Sequence, residues 1–256
     1  MKIIPVRSKG LKERDELNDI ISVAEGVSPA KFLNRTGKNI YSLIDGNRSY
    51  DEITSIMINK YDPSISERIE KDVENFLFSL KNCNIIDWEG RLKMNNGCIL
   101  VGERQFADVS NYICDFIKKN KELNGFTASP DFKGFLIQNL RTRSLFNSEV
   151  FFAKYTEDEI VAEISVIGLD SGAGVGIINT CIWKDSNDIQ ELFSYVKNTL
   201  QNIDCNKLKV TLVENDILAT YGEEFYNQLL ELGFENETIL KKESLGKDVK
   251  VMSYFL

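Results

Sequence analysis

In the opening part of the chain, apolar positions recur at helical spacing in three short runs, each introduced by a polar capping residue. In LNRTGKNIYSLIDGNRSYDEI, from Leu33 to Ile53, Asn34 and Thr36 are both N-cap candidates for a helix carrying Ile40, Leu43 and Ile44, and Gly46 supplies its stop. Ser49 and Glu52 form a capping-box pair before a second helix with Ile53, Ile56 and Met57 on one face. Ser64 and Glu67 repeat that spacing after Asp62-Pro63 and open a third helix with Ile65, Ile69, Val73, Phe76, Leu77 and Leu80. Two strand-like pieces, DIISVAEG and PAKFLN, precede the helices, and IIDWEGRLKM after them reads as a hairpin turning at Glu89-Gly90. Three short helices with a small sheet predict a winged-helix-like unit over residues 1–95.

From about Asn96 the periodicity changes. CILVGERQ reads as a strand, and FADVSNYICDFIKK as a helix with Phe106, Val109, Ile113, Phe116 and Ile117 on one face. After a less readable stretch, EVFFAKY and IVAEISVI flank the polar TEDE turn as a hairpin. VGIINTCIW is a further strand, QELFSYVKNTL a helix, KLKVTLVE a strand and EEFYNQLLEL a helix. TILKKES and VKVMSYFL close the chain as a hairpin around Leu245-Gly246. Strands and helices alternating around one mixed sheet predict an α/β second domain over residues 96–256. Within it, SGAGVGIINT leads into a strand, so its glycines read as a tight turn and not as a phosphate cradle.

Composition narrows the chemistry. The 256 residues contain no histidine, which removes Ser-His and Cys-His nucleophile arrangements and the commonest metal ligand. The five cysteines are widely spaced with no CxxC pair, so they predict buried thiols and no metal site. No run reaches the roughly 20 apolar residues that span a bilayer, and the opening MKIIPVRSKG leads into polar LKERDELND, which predicts a cytoplasmic protein with no membrane partner. Residues 1–95 hold 15 basic and 15 acidic residues and residues 96–256 hold 16 and 24, so the net charge of −8 lies in the second part. The third helix, ISERIEKDVENFLFSLK, is itself not basic, and nucleic acid is not an expected partner.

The order FLN-T-G, LIDG, S--EI, Tyr-Asp, DVENFLFSL and IID over residues 18–90 resembles the PqqD-like domain, or RiPP recognition element. That resemblance implies a partner: the leader segment of a ribosomally made precursor peptide, lying as an added strand beside the third strand and touching the third helix. It places Ala30, Lys31, Phe32 and Leu33 on the receiving edge, with Val73, Phe76, Leu77 and Leu80 across the groove. An exposed strand edge offers the unpaired backbone groups that such binding requires.

The order of elements over residues 97–256, with the ending FYNQLLELGFENE and a terminal hairpin, resembles the GNAT acyltransferase fold. The resemblance implies acyl transfer to an amine from acetyl-CoA or another acyl-CoA. VGIINTCIW would meet the pantetheine arm, and the following loop would bind the pyrophosphate. The corresponding residues are Cys181, Ile182, Trp183, Lys184, Ser186, Asn187, Asp188 and Ile189. Asn187 and Ile189 stand where the family's small Gly or Ala residues belong, and Asp185 and Asp188 oppose an anion. Leu229 occupies the family's general-acid tyrosine position, which leaves Tyr226 or Tyr221 as substitutes and Glu163 as a candidate base acting through water. Two functions follow. One is leader-guided N-acyl transfer to an amine of the precursor. The other is a non-catalytic recruiter or chaperone that presents the peptide to another modifying enzyme.

Overall fold

Asn34 caps the first helix, α1 (Arg35–Leu43), accepting from the Gly37 N–H at 2.9 Å. Ser49 and Glu52 form both bonds of a capping box on α2 (Tyr50–Ile58), a cap that typically contributes ~1 kcal/mol. The third expected box does not form. Asp62 instead caps a 3-10 turn over Pro63–Ile65, and α3 (Ser66–Asn82) continues from that turn without a side-chain cap. These helices belong to a computed structural model that describes residues 3–16, 20–25, 30–90, 92–118, 122–129, 131–213, 223–244 and 246–256.

The chain divides into two units, Met1–Lys93 with Gly102–Arg104 and Met94–Val101 with Gln105–Leu256. In the first, β2 (Leu11–Asp15), β3 (Ile21–Glu25) and β4 (Lys31–Leu33) form an antiparallel sheet in that order. A two-stranded ribbon pairs β1 (Val6–Arg7) with β5 (Ile86–Asp87). The expected hairpin in IIDWEGRLKM is therefore replaced by pairing with the start of the chain. Trp88 explains the choice: it stacks edge-on against Phe78, with the Lys81 ammonium 4.3 Å from its ring centre, so the segment is pinned to α3. Ile40, Ile44, Ile53, Met57, Val73, Leu77 and Leu80 join Val23 and Leu33 in one core.

The second unit is built on an eight-stranded mixed sheet. Its elements are β6 (Gly97–Leu100), α4 (Phe106–Ile117), β7 (Asn124–Thr127), α5 (Ile137–Leu145), β8 (Glu149–Thr156), β9 (Glu159–Ile167) and β10 (Val175–Trp183). They are followed by α6 (Ser186–Gln201), β11 (Lys207–Val213), α7 (Glu223–Glu231), β12 (Glu235–Ser244) and β13 (Lys247–Phe255). The sheet runs β12-β13-β11-β10-β9-β8-β6, with β7 joined separately to β10. Glu157 and Asp158, both at positive φ, make the two-residue turn between β8 and β9, the geometry that matches strand twist. Alternation divides the sheet's faces: Ala162, Ile164 and Val166 of β9 pack toward α6, while Phe151, Ala153 and Tyr155 of β8 pack toward α4 and α5. The stretch that carried no readable pattern holds β7 and α5, elements too short and too polar to show a period.

Candidate functional site

Two strand edges are the candidate places for a ligand. In the first unit, β4 ends its sheet, and among the described residues no strand pairs with its outer side. Pairing with β3 sets Ile21 opposite Leu33, Ser22 opposite Phe32 and Val23 opposite Lys31. Successive side chains consequently part: Leu33 is buried, and Phe32 projects to solvent with 67% of its surface exposed. Lys31 reaches α3, donating to the Ser79 hydroxyl at 2.5 Å with the Cys83 sulfur at 3.9 Å. Ala30 is exposed just before the strand.

Across from it, α3 does not present the four apolar side chains that the spacing suggested. Val73, Leu77 and Leu80 are at most 1% exposed and fill the core, so a bound peptide cannot touch them. Phe76 is half-buried and rests against α1, where Gly37 leaves room: a Cβ there would meet the ring at 3.0 Å. The residues at the end of α3 that β4 does reach, and that the spacing did not single out, are Ser79 and Cys83, three and seven positions after Phe76.

In the second unit the candidate edge belongs to β10. It pairs in parallel with β11 only over Val175–Ile177. Beyond that ladder the edge is taken by β7, which runs antiparallel with Thr180 opposite Thr127, Cys181 opposite Phe126, Ile182 opposite Gly125 and Trp183 opposite Asn124. The Ala128 N–H donates to the Asn179 carbonyl at 2.8 Å and continues the join. The opposite edge of the same residues is paired with β9. Cys181, Ile182 and Trp183, the expected pantetheine contacts, are at most 3% exposed.

The expected pyrophosphate loop is likewise occupied by the chain. Asp185 caps α6, its carboxylate accepting from the Asn187 N–H at 2.9 Å. Asp188 accepts from Lys154 at 2.9 Å, and Glu191 takes the same ammonium at 2.6 Å. Burial works against the Lys154 charge, but these two hydrogen bonds prevail and raise its pKa, so it stays cationic and committed. Lys184 is exposed and pairs with Glu159 at 3.1 Å, Ser186 and Asn187 are also exposed, and Ile189 is in the core. A polar cavity of about 340 Å³ remains, lined by Asn124, Trp183, Ser186, Asn227, Gln228 and Glu231. Among the described residues, its one ionisable lining group is the Glu231 carboxylate. The residues present thus do not fit an acyl-CoA: among the described residues β7 takes the edge that the pantetheine amides would use, and the helix N-terminus is filled by a carboxylate where a phosphate would need it.

The candidate acid-base groups are also elsewhere. Tyr226 is turned to the closing hairpin: its hydroxyl accepts from Asn236 at 2.9 Å, and the Lys250 ammonium sits 4.4 Å from its ring centre. Tyr221 lies outside the described residues. Glu163 is fully buried, not solvent-facing as a strand glutamate usually is. Burial, reinforced by the nearby Glu149 carboxylate, pushes its pKa well up, against the hydrogen bond from Thr180 at 2.9 Å. It belongs to a buried polar run that sequence reasoning did not find. Arg143 pairs with Glu149, Ser165 and Asn179 donate to Glu149 at 2.6 and 2.7 Å, and Ser165 and Thr180 share a bond of 2.6 Å. Polar side chains at alternating positions on adjacent strands were its only signal.

Fold and edges together describe a small sheet-and-helix unit whose β4 has no strand on its outer side among the described residues, followed by a mixed-sheet unit in which β7 fills the edge of β10 beyond the β11 ladder. Residues 29–86 match the family described as Coenzyme PQQ synthesis protein D (PqqD). Among solved structures, the aminoglycoside 6'-N-acetyltransferase from Enterococcus faecium aligns at 10% identity and TM-score 0.48, over 62% of this chain and 96% of that one. The ribosomal-protein-alanine N-acetyltransferase from Brucella melitensis aligns at 12% and 0.46, over 62% and 99%. An N-acetyltransferase from Staphylococcus aureus Mu50 aligns at 12% and 0.46, over 63% and 98%. No curated protein matches the chain at a significant level. The chain thus joins a unit containing the PqqD-matching segment to a unit built on an eight-stranded mixed sheet. Among the described residues no helix is long and apolar enough to cross a membrane, and no group of metal-ligating side chains is found.

Proposed function

We propose that this protein captures the leader segment of a ribosomally made precursor peptide and holds the peptide for modification by a partner enzyme. The observation that carries the reading is that, among the described residues, no strand pairs with the outer side of β4, within the segment that matches PqqD. An extended leader adds there as a fourth strand, its backbone pairing with β4, with alternate side chains directed toward the α3 groove and the Phe32 face. Tethering at one unit raises the effective concentration of the rest of the peptide at the other, to millimolar levels for short linkers.

For the second unit, the geometry favours the recruiter role over N-acyl transfer to a precursor amine. Acyl transfer needs a bound donor, and the slot and helix terminus that would hold acetyl-CoA are filled by the protein's own groups. The test is calorimetric titration of the full chain with a panel of synthetic leader peptides, alongside mass spectrometry of the same peptides incubated with acetyl-CoA. Micromolar leader binding, weakened by Phe32→Asp, without acetylation is the expected result. Acetylated peptide would establish the enzyme reading instead, and failure of all leaders to bind would remove the capture role.

A further inference from the structure

The β10 slot also shows whether its closure is a latch or a fixture. We infer that β7 is a permanent occupant of the slot, so that the second unit takes no acyl-CoA in any state, including when a leader peptide is bound. The inference rests on the recruiter reading and goes beyond it: a donor site merely switched off would have a strand able to leave.

Three observations on β7 argue that it cannot leave. Gly125 has φ +138°, and a Cβ there would lie 2.1 Å from the Cys181 carbonyl oxygen and 2.7 Å from the Ile182 Cα. The strand thus approaches β10 at a distance that only glycine permits, a local sequence choice that serves no purpose in a strand meant to come away. Phe126 is 5% exposed and belongs to the main core of the unit, stacked on Phe225 at 5.2 Å and nearly parallel to it, with Trp183 5.9 Å on from Phe225. Withdrawal of β7 would uncover these rings. Finally, β7 takes over where the β11 ladder ends, and it satisfies an edge that would otherwise hold buried, unpaired backbone groups.

Hydrogen exchange by mass spectrometry on the full chain tests this, alone, with acetyl-CoA at about 1 mM, the top of the usual KM range, and with leader peptide plus acetyl-CoA. Amides of residues 124–127 and 180–183 are expected to exchange slowly and at the same rates in all three. Faster exchange at 124–127 with acetyl-CoA, or new protection at 186–189, would mean that the donor expels the strand and would overturn the inference. Gly125→Ala gives a second reading: a lower thermal midpoint with no gain of acetyl-CoA binding is expected, whereas a variant that binds acetyl-CoA would identify β7 as a plug. Leader binding is read separately, as protection at residues 30–33. Its absence with unchanged exchange at β7 would refute the capture role and leave the closed slot standing.

Discussion

Each unit of this protein has one strand whose edge a ligand could join, and the two edges have opposite fates. The edge of β4 is short, carries an exposed aromatic and ends its sheet. The edge of β10 is longer, lies at the centre of its sheet and is filled by a strand from the same chain. An exposed edge is an aggregation liability that proteins keep short, charge or cover, and β4, at three residues, is short. Once a chain fills such an edge from within, the binding surface becomes core and its residues answer to packing. The mixed sheet of the second unit is complete, and a sheet by itself does not decide which ligand chemistry its edges serve.

The contrast can be broken most severely at Phe126. Phe126→Ala removes the buried ring of β7 and should cost about 3–5 kcal/mol of second-unit stability, read by urea unfolding through Trp183 emission in a Trp88→Phe background. A loss under ~1 kcal/mol would show that β7 is only loosely seated. The next effect concerns Glu163. Because burial raises its folded-state pKa, the folded protein keeps this proton to higher pH than the unfolded chain does. Its contribution to stability is full below the ordinary carboxylate range and declines as pH rises toward the folded value, at up to ~1.4 kcal/mol per pH unit. Glu163→Gln should flatten that dependence, and parallel pH profiles for parent and variant would show that the carboxyl is not held protonated.

At the open edge, Phe32→Ala should weaken leader binding about tenfold, or ~1.4 kcal/mol, while changing stability by less than ~0.5 kcal/mol, because the ring is exposed. A large stability loss there would make Phe32 a hidden core residue and weaken the contrast between the edges. The smallest effect sharpens the line between scaffold and edge. Ser49→Ala should cost ~1 kcal/mol of first-unit stability and leave the leader dissociation constant unchanged.

The helices and most strands were legible because their signals are local. Asn34 and the Ser49–Glu52 pair cap where their spacing says they should, and the β-rich runs EVFFAKY and IVAEISVI around a polar turn, with KLKVTLVE, fall on strands as read. Helical periodicity in α3 also identified its buried face, but it could not assign neighbours: Val73, Leu77 and Leu80 went inward, Phe76 rests against α1, and Ser79 and Cys83 are reached by Lys31 of β4. The helix shows one apolar stripe, and which part of it meets a neighbour depends on where α1 and β4 sit.

What the sequence determined by itself is the set of elements, their order and the unsuitability of the Asp185–Asp188 turn for an anion. These follow from φ preferences, capping and charge, which act within a few residues. Only the tertiary structure decided the partners of each edge. Four residues, NGFT, carry no periodicity that distinguishes a loop from a strand, yet once α4 delivers them to β10 they close it through backbone bonds, a glycine-only approach and one buried ring. Ile86–Asp87 likewise pairs with residues some eighty positions earlier. Strand pairing is settled by backbone groups that every residue has, so its choice of partner is written in three-dimensional proximity and not in side-chain pattern.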